Sequence, residues 1–179
     1  AYVAAGSSST LARPPTTTAL PFSDVTAAAL IGYWDSNGNP AGTLYRAALS
    51  TAAPIVETHG GNVSVFSRPP GSGTPSASFS GLTGDPSYYH FITAFSHAGA
   101  ATTAVQAGTV TTRANTPAPP AGEALQSVSN TSLTARWGAN NNGPGSLYEA
   151  VASTANPLVL SHAGNVRIDR DRHRGRHRG

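Results

Sequence analysis

Side chains that could perform chemistry are few in this chain, and their spacing keeps them apart. A metal centre could combine histidine with Asp or Glu, yet no close pair has ligand spacing before the C-terminal tail. The six histidines are His59, His90, His97, His162, His173 and His177. Cysteine is absent, which excludes disulfides and zinc sites built on thiolates. No Gly-x-Ser-x-Gly elbow and no glycine-rich loop with a phosphate-binding lysine occurs. We therefore expect neither catalysis nor a cofactor.

The elements that carry these residues occur twice in the sequence. Residues 37–63 and 140–166 match without a gap at a constant separation of 103 positions. The matched pairs include Trp34 with Trp137, Tyr45 with Tyr148, His59 with His162 and Asn62 with Asn165. A constant offset over this length indicates duplication of a structural unit. His59 and His162 therefore belong to the shared unit and do not form a special site.

The repeat extends to the beginning of the chain, with a small change of offset. Residues 2–12 resemble residues 104–114 at an offset of 102, so one residue is gained or lost in the proline-rich joint that follows, which is RPPTTT at residues 13–18 and NTPAPP at residues 115–120. We predict four segments: a last strand of a preceding or neighbouring module (1–12), a complete module (17–114), the first half of a second module (117–166) and an Arg/His-rich tail (167–179).

Short alternating segments predict an all-β fold. The 19 Gly and 14 Pro, with Asn, punctuate the chain about every ten residues, as in a β-sandwich. No segment has a helical period over three turns. The residues that alternate inward and form the predicted core are Leu30, Trp34, Tyr45, Leu82, Tyr88, Ile92, Leu133, Trp137 and Tyr148.

The order of these motifs resembles the fibronectin type III family, in tandem repeats of the bacterial surface type. A strand ending in Trp34, an Asn/Gly/Pro loop and a strand opening with Tyr45 are similar to that family's B–C region. Leu82, followed six residues later by Tyr88, resembles its E–F corner, where a tyrosine hydroxyl pins the turn. The resemblance implies immunoglobulin-like β-sandwich modules that fold without disulfide or metal and act as spacers by default.

His90 stands where the family usually has an apolar residue. Three interpretations are open: a buried neutral histidine satisfied by one hydrogen bond, a local strand shift that turns Phe91 inward, or a ligand.

Composition predicts an extracellular or cell-surface protein without a membrane span. Only 11% of residues are charged, and no run of 18 apolar residues occurs. All 11 basic residues are Arg, and six of them lie in residues 167–179. Because this tail has no aromatic residue for base stacking, nucleic-acid binding is not favoured.

Two surface features suggest modification and stiffness. Asn62 and Asn130 begin Asn-x-Ser sequons, which predict glycosylation if the chain is secreted. The proline-rich joints would stiffen the connection, so that successive modules keep a defined angle.

Incomplete modules suggest a structural function. Half a sandwich exposes an apolar inner face, and a lone strand invites pairing with another chain. We expect a homopolymeric surface filament, assembled head to tail by addition of a strand whose assembly residues are Tyr2, Val3, Ala4 and Ala5. The alternatives are a carbohydrate- or receptor-binding adhesin segment, with Tyr89, Phe91 and Phe95 as its aromatic candidates, and a passive spacer from a larger secreted hydrolase.

Overall fold

The computed structural model describes residues 10–69 and 73–172 and contains only strands, turns and loops in these ranges. Its strands are β1 (Phe22–Ser23), β2 (Ala29–Tyr33), β3 (Leu44–Ser50), β4 (Val63–Ser67), β5 (Ser76–Ser80), β6 (Ser87–Phe95), β7 (Val105–Thr111), β8 (Leu125–Gln126), β9 (Thr134–Ala135), β10 (Leu147–Ala152) and β11 (Val166–Arg172). The chain divides into two compact units, residues 1–83 with 87–113 and residues 84–86 with 114–179. Each unit is described by itself.

The first unit contains two antiparallel sheets. One has the strand order β1-β2-β5 and the other the order β4-β3-β6-β7. In the first sheet Leu30 lies opposite Phe79, and in the second Ala47 lies opposite Ile92. Because side chains alternate across a strand, one face of each sheet is apolar and lines a shared core.

The core of the first unit uses the inward positions of these strands. All six predicted core residues before position 100 are at most 4% exposed: Leu30, Trp34, Tyr45, Leu82, Tyr88 and Ile92. The hydroxyl oxygen of Tyr88 accepts a hydrogen bond from the Thr83 N–H at 3.1 Å. This bond fixes the turn between β5 and β6 in the way that a tyrosine corner does.

His90 occupies the inward position of β6, and the strand is not shifted to replace it with Phe91. The irregularity lies in β7, where Gly108 faces His90 and Gln106 faces Phe91, so that Ala107 is the extra residue. A bulge of this kind absorbs one residue without reversing the faces of the neighbouring strand.

The second unit contains two two-stranded sheets, β8-β9 and β10-β11. The stretch expected to form a strand up to Trp137 contributes only Thr134–Ala135. β11 continues into the predicted Arg/His-rich segment as far as Arg172 and pairs with β10. Main-chain pairing accounts for a strand in this segment, since ladder hydrogen bonds need no particular side chains.

Candidate functional site

The inner face of the second unit is open where the matching face of the first unit is closed. Leu30 is 2% exposed, whereas its repeat equivalent Leu133 is 39% exposed. Three further positions pack against the core of the first unit, namely Phe22, Val25 and Val63. Their equivalents Leu125, Val128 and Val166 are 52%, 69% and 63% exposed.

The difference has a direct structural cause. In the first unit, β5, β6 and β7 supply Phe79, Ile92 and Ala107, respectively, to the core. Within residues 114–172 of the second unit, no strand corresponds to these three. The core prediction for Leu133 is therefore wrong for the structure described, because its sequence pattern is retained while the covering strands are not present.

Trp137 and Tyr148 keep part of the core arrangement in the second unit. Tyr148 is buried, and its ring centroid lies 5.9 Å from that of the half-buried Trp137. The corresponding rings of Trp34 and Tyr45 lie 5.4 Å apart. The two aromatic pairs show that the described part of the second unit reproduces this element of the packing of the first.

Most of the predicted assembly strand falls outside the described residues. Tyr2, Val3, Ala4 and Ala5 lie outside the described residues. The part of that strand that is described, Thr10–Ala12, has no strand assignment.

His90 is enclosed by aromatic rings and by glycine. Its ring centroid lies 5.5 Å from Phe22 and 5.8 Å from Phe79. A methyl group on Gly32 would come within 2.8 Å of the His90 ring. Neither ring nitrogen has a hydrogen-bond partner among the described residues, so the expected single hydrogen bond is absent there. Burial lowers the pKa of His90 to about 4, so the neutral imidazole fills the core as an apolar group would.

The two sequons differ in accessibility. The side-chain nitrogen of Asn62 donates to the carbonyls of Val56 at 2.7 Å and Glu57 at 3.4 Å. Asn165 makes the same two contacts in the second unit, although Arg167 stands where a sequon requires Ser or Thr. This asparagine therefore holds the same loop in both repeats, and a sugar on Asn62 Nδ2 would replace one of the two amide hydrogens that these contacts use. Asn130 is exposed in a turn.

The three aromatic candidates for a ligand platform do not form one cluster. Phe91 is buried, and Phe95 is half-buried with its ring 6.2 Å from the exposed Phe66. A cleft of about 140 Å³ lies beside Phe95, Arg68 and His97. Ligand pockets usually measure about 300–1,000 Å³, so this cleft is small for a saccharide.

The described part of the chain also has a cleft of about 450 Å³, whose lining includes Leu20, Phe22 and Tyr33. It contains no group of three His, Asp or Glu residues that could hold a metal ion. No helix in it is long and apolar enough to cross a membrane.

The known proteins to which this chain is similar are solved structures. No family model and no curated protein matches the sequence. A solved fibronectin type III domain of the human collagen alpha-1(XX) chain is similar at 26% identity and a TM-score of 0.42, with coverage of 68% of this chain and 97% of that one. A structure described as a myokine matches at 15% identity and a TM-score of 0.39, covering 56% of this chain and 99% of that one. The sheets β1-β2-β5 and β4-β3-β6-β7 themselves give the first unit the fibronectin type III fold.

Proposed function

We propose that this chain is a structural, extracellular repeat protein whose subunits join head to tail by β-strand addition. The observation that supports this function is the open inner face of the second unit, defined by Leu125, Val128, Leu133 and Val166. We call these four residues the open face. Exposed apolar side chains at positions that are inward-facing in a complete module are typical of a surface that another chain covers.

We propose that a second copy of the chain covers the open face. Residues 2–12 resemble residues 104–114, which include β7, the last strand of the first unit. A neighbouring subunit can therefore supply a strand of a kind that is not found within residues 114–172. Main-chain hydrogen bonds would provide much of the affinity in such a strand addition. Because the donor and acceptor surfaces differ, the contact repeats and produces a filament.

The tandem arrangement and the surface location belong to the same proposal. In it, residues 17–114 form one fibronectin type III module and residues 117–166 form part of the next. The low content of charged residues and the absence of cysteine suit a bacterial surface protein that needs no disulfides.

The open face provides the test. Leu133→Arg replaces one of the four apolar side chains by a charged one, and we expect it to abolish end-to-end association in light scattering and electron microscopy. Leu20→Arg is the matched control, because Leu20 is 79% exposed in the first unit and lies outside the open face. Association that survives Leu133→Arg would show that this face is not the interface.

Deletion of residues 1–12 tests the donor strand separately. We expect the shortened chain to keep its β-sheet circular dichroism and to lose association. If the shortened chain polymerises normally while Leu133→Arg does not, the open face is covered by a segment other than residues 1–12.

A further inference from the structure

Each proline-rich joint is attached by its main chain to a loop of its own unit. In the first unit, the amide of Asn39 pairs with the peptide groups of Arg13. The Arg13 N–H donates to Asn39 Oδ1 at 2.8 Å, and Asn39 Nδ2 donates to the Arg13 carbonyl at 2.8 Å. Asn37 Nδ2 donates to the next carbonyl, that of Pro14, at 2.9 Å. The side-chain amide of Asn39 thus acts as a neighbouring strand would.

The second unit repeats this arrangement contact by contact. The Asn115 N–H donates to Asn142 Oδ1 at 2.6 Å, and Asn142 Nδ2 donates to the Asn115 carbonyl at 2.9 Å. Asn140 Nδ2 donates to the Thr116 carbonyl at 2.8 Å. We call Asn37 with Asn39, and Asn140 with Asn142, the asparagine clamps.

A main-chain pair follows each clamp at the same distance along the joint. Thr16 and Asp35 exchange two hydrogen bonds of 3.1 and 2.9 Å, and Ala118 and Gly138 exchange two of 3.0 and 2.8 Å. Each joint therefore pairs with the loop first through the clamp side chains and then through main-chain hydrogen bonds at Thr16 or Ala118.

The clamps contact the joint without depending on its side chains. The joint reads Arg-Pro-Pro-Thr at residues 13–16 and Asn-Thr-Pro-Ala at residues 115–118. The clamps form hydrogen bonds to the corresponding peptide groups in both joints. Backbone recognition of this kind accepts varied sequence in an extended segment.

The two repeats differ in length by one residue in this region. The position of the extra residue supports the importance of the clamp contacts. The clamped positions Arg13 and Asn115 correspond at an offset of 102, and so do Thr16 and Ala118. Phe22 and Leu125 correspond at 103. The extra residue therefore falls after the clamped segment, where it does not change the spacing of the contacts.

The loop conformation orients the clamps. Asn37 and Asn140 have φ angles of 53° and 52°, in the left-handed region that asparagine tolerates better than most residues. In the second unit Asn142 also donates to the buried Tyr148 hydroxyl at 3.1 Å. This hydrogen bond connects the clamp of the second unit to a buried side chain.

We propose that each asparagine clamp is a docking site for an extended main-chain segment, and that its occupant is the proline-rich joint preceding the module. Each joint is then the first structural element of the module that follows, so that the modules begin at Arg13 and Asn115 instead of at positions 17 and 117, where the sequence repeat alone places their starts. Proline suits this occupant because its fixed φ favours the extended form and reduces the entropy lost on docking. This inference holds whether or not the chain assembles into a filament.

Amide hydrogen exchange in the full chain tests the clamp of the first unit. We expect Asn39→Ala to accelerate exchange at Arg13 and at Thr16 by about tenfold, since two hydrogen bonds of the joint are lost. Amides of the central strand β6 should be unchanged. Ser36→Ala, in the same loop, is the control.

Unchanged exchange at Thr16 in Asn39→Ala would overturn the proposal, because the joint would then be held by main-chain pairing alone. If Asn39→Ala loses protection throughout the unit, Asn37→Gly decides the question. Glycine keeps the left-handed turn without strain and deletes only the bond to Pro14, so faster exchange at Thr16 supports the clamp and unchanged exchange opposes it.

Trypsin gives an independent measurement on the second clamp. The Arg113–Ala114 bond directly precedes the clamped Asn115. Proteolysis requires local release of the chain, so we expect Asn140→Gly to speed cleavage after Arg113 several-fold over the parent chain. Asn130→Ala, in an exposed turn of the same unit, is the control. Equal cleavage rates in the parent chain and Asn140→Gly would contradict the proposal.

Discussion

Acid should destabilise the first unit through a single buried side chain. His90 is fully buried, and neither of its ring nitrogens has a hydrogen-bond partner in the described residues. Burial lowers its pKa from 6.5 to about 4, because the charged form loses its hydration and gains no partner. Between these two values the unfolded chain binds a proton that the folded chain does not.

The sign and size of the effect follow from this difference. Stability from neutral His90 is fully present above pH 6.5 and decreases as the pH falls from 6.5 towards 4. At about 1.4 kcal/mol per unit of pKa, the loss reaches about 3 kcal/mol near pH 4. That is a large share of the roughly 5–15 kcal/mol expected for a domain.

Urea unfolding between pH 7.5 and pH 4.5, followed by tryptophan fluorescence, measures the change. His90→Leu is the comparison, because it removes the titrating group and no hydrogen bond recorded at this side chain. Carboxylates titrate similarly in both proteins, so their effect on the free energy of unfolding cancels when the two pH curves are subtracted. We expect the parent chain to lose more stability than the variant over this range. Parallel pH curves for the two proteins would refute the reasoning.

Two further substitutions test the packing. Gly32→Ala should cost about 1–3 kcal/mol through overpacking, since its methyl group would lie 2.8 Å from the His90 ring. Gly60→Ala, with no atom within 4 Å of the added carbon, should not lower the urea midpoint; equal effects would contradict the packing argument. Trp34→Ala should cost about 3–5 kcal/mol and unfold the first unit, whereas Trp137→Ala should cost less because Trp137 is half-buried. A thermal midpoint unaffected by Trp34→Ala would remove Trp34 from the core.

Local pattern predicted the strands of the first unit well. Alternation in residues 44–50 places Tyr45, Ala47 and Leu49 on one face, and all three are buried. The pattern around Leu82 and Tyr88 predicted the corner that the Tyr88 hydroxyl closes. The sequence predicts such features because strand alternation and turns depend on residues that are close together along the chain.

Local pattern could not show which inward positions are covered. Leu30 and Leu133 have equivalent sequence contexts, yet one is buried and the other is exposed. Likewise, the sequon at Asn62 reads as a surface site, while its amide is used within the loop. The asparagine clamps had a sequence signal, because Asn37 and Asn39 recur as Asn140 and Asn142, but the partners of these side chains are 23–27 residues away.

The sequence by itself determined the all-β class, the repeat and the inward positions of the strands, because these depend on residue type and spacing along the chain. Only the tertiary structure decided that His90 lies unpartnered among Phe22, Trp34 and Phe79, and that the joints are held by main chain. The physical reason is that burial and hydrogen bonding depend on which distant segments meet. An apolar residue in a strand indicates that its face of the sheet must be buried, but it does not indicate which segment of the chain covers that face.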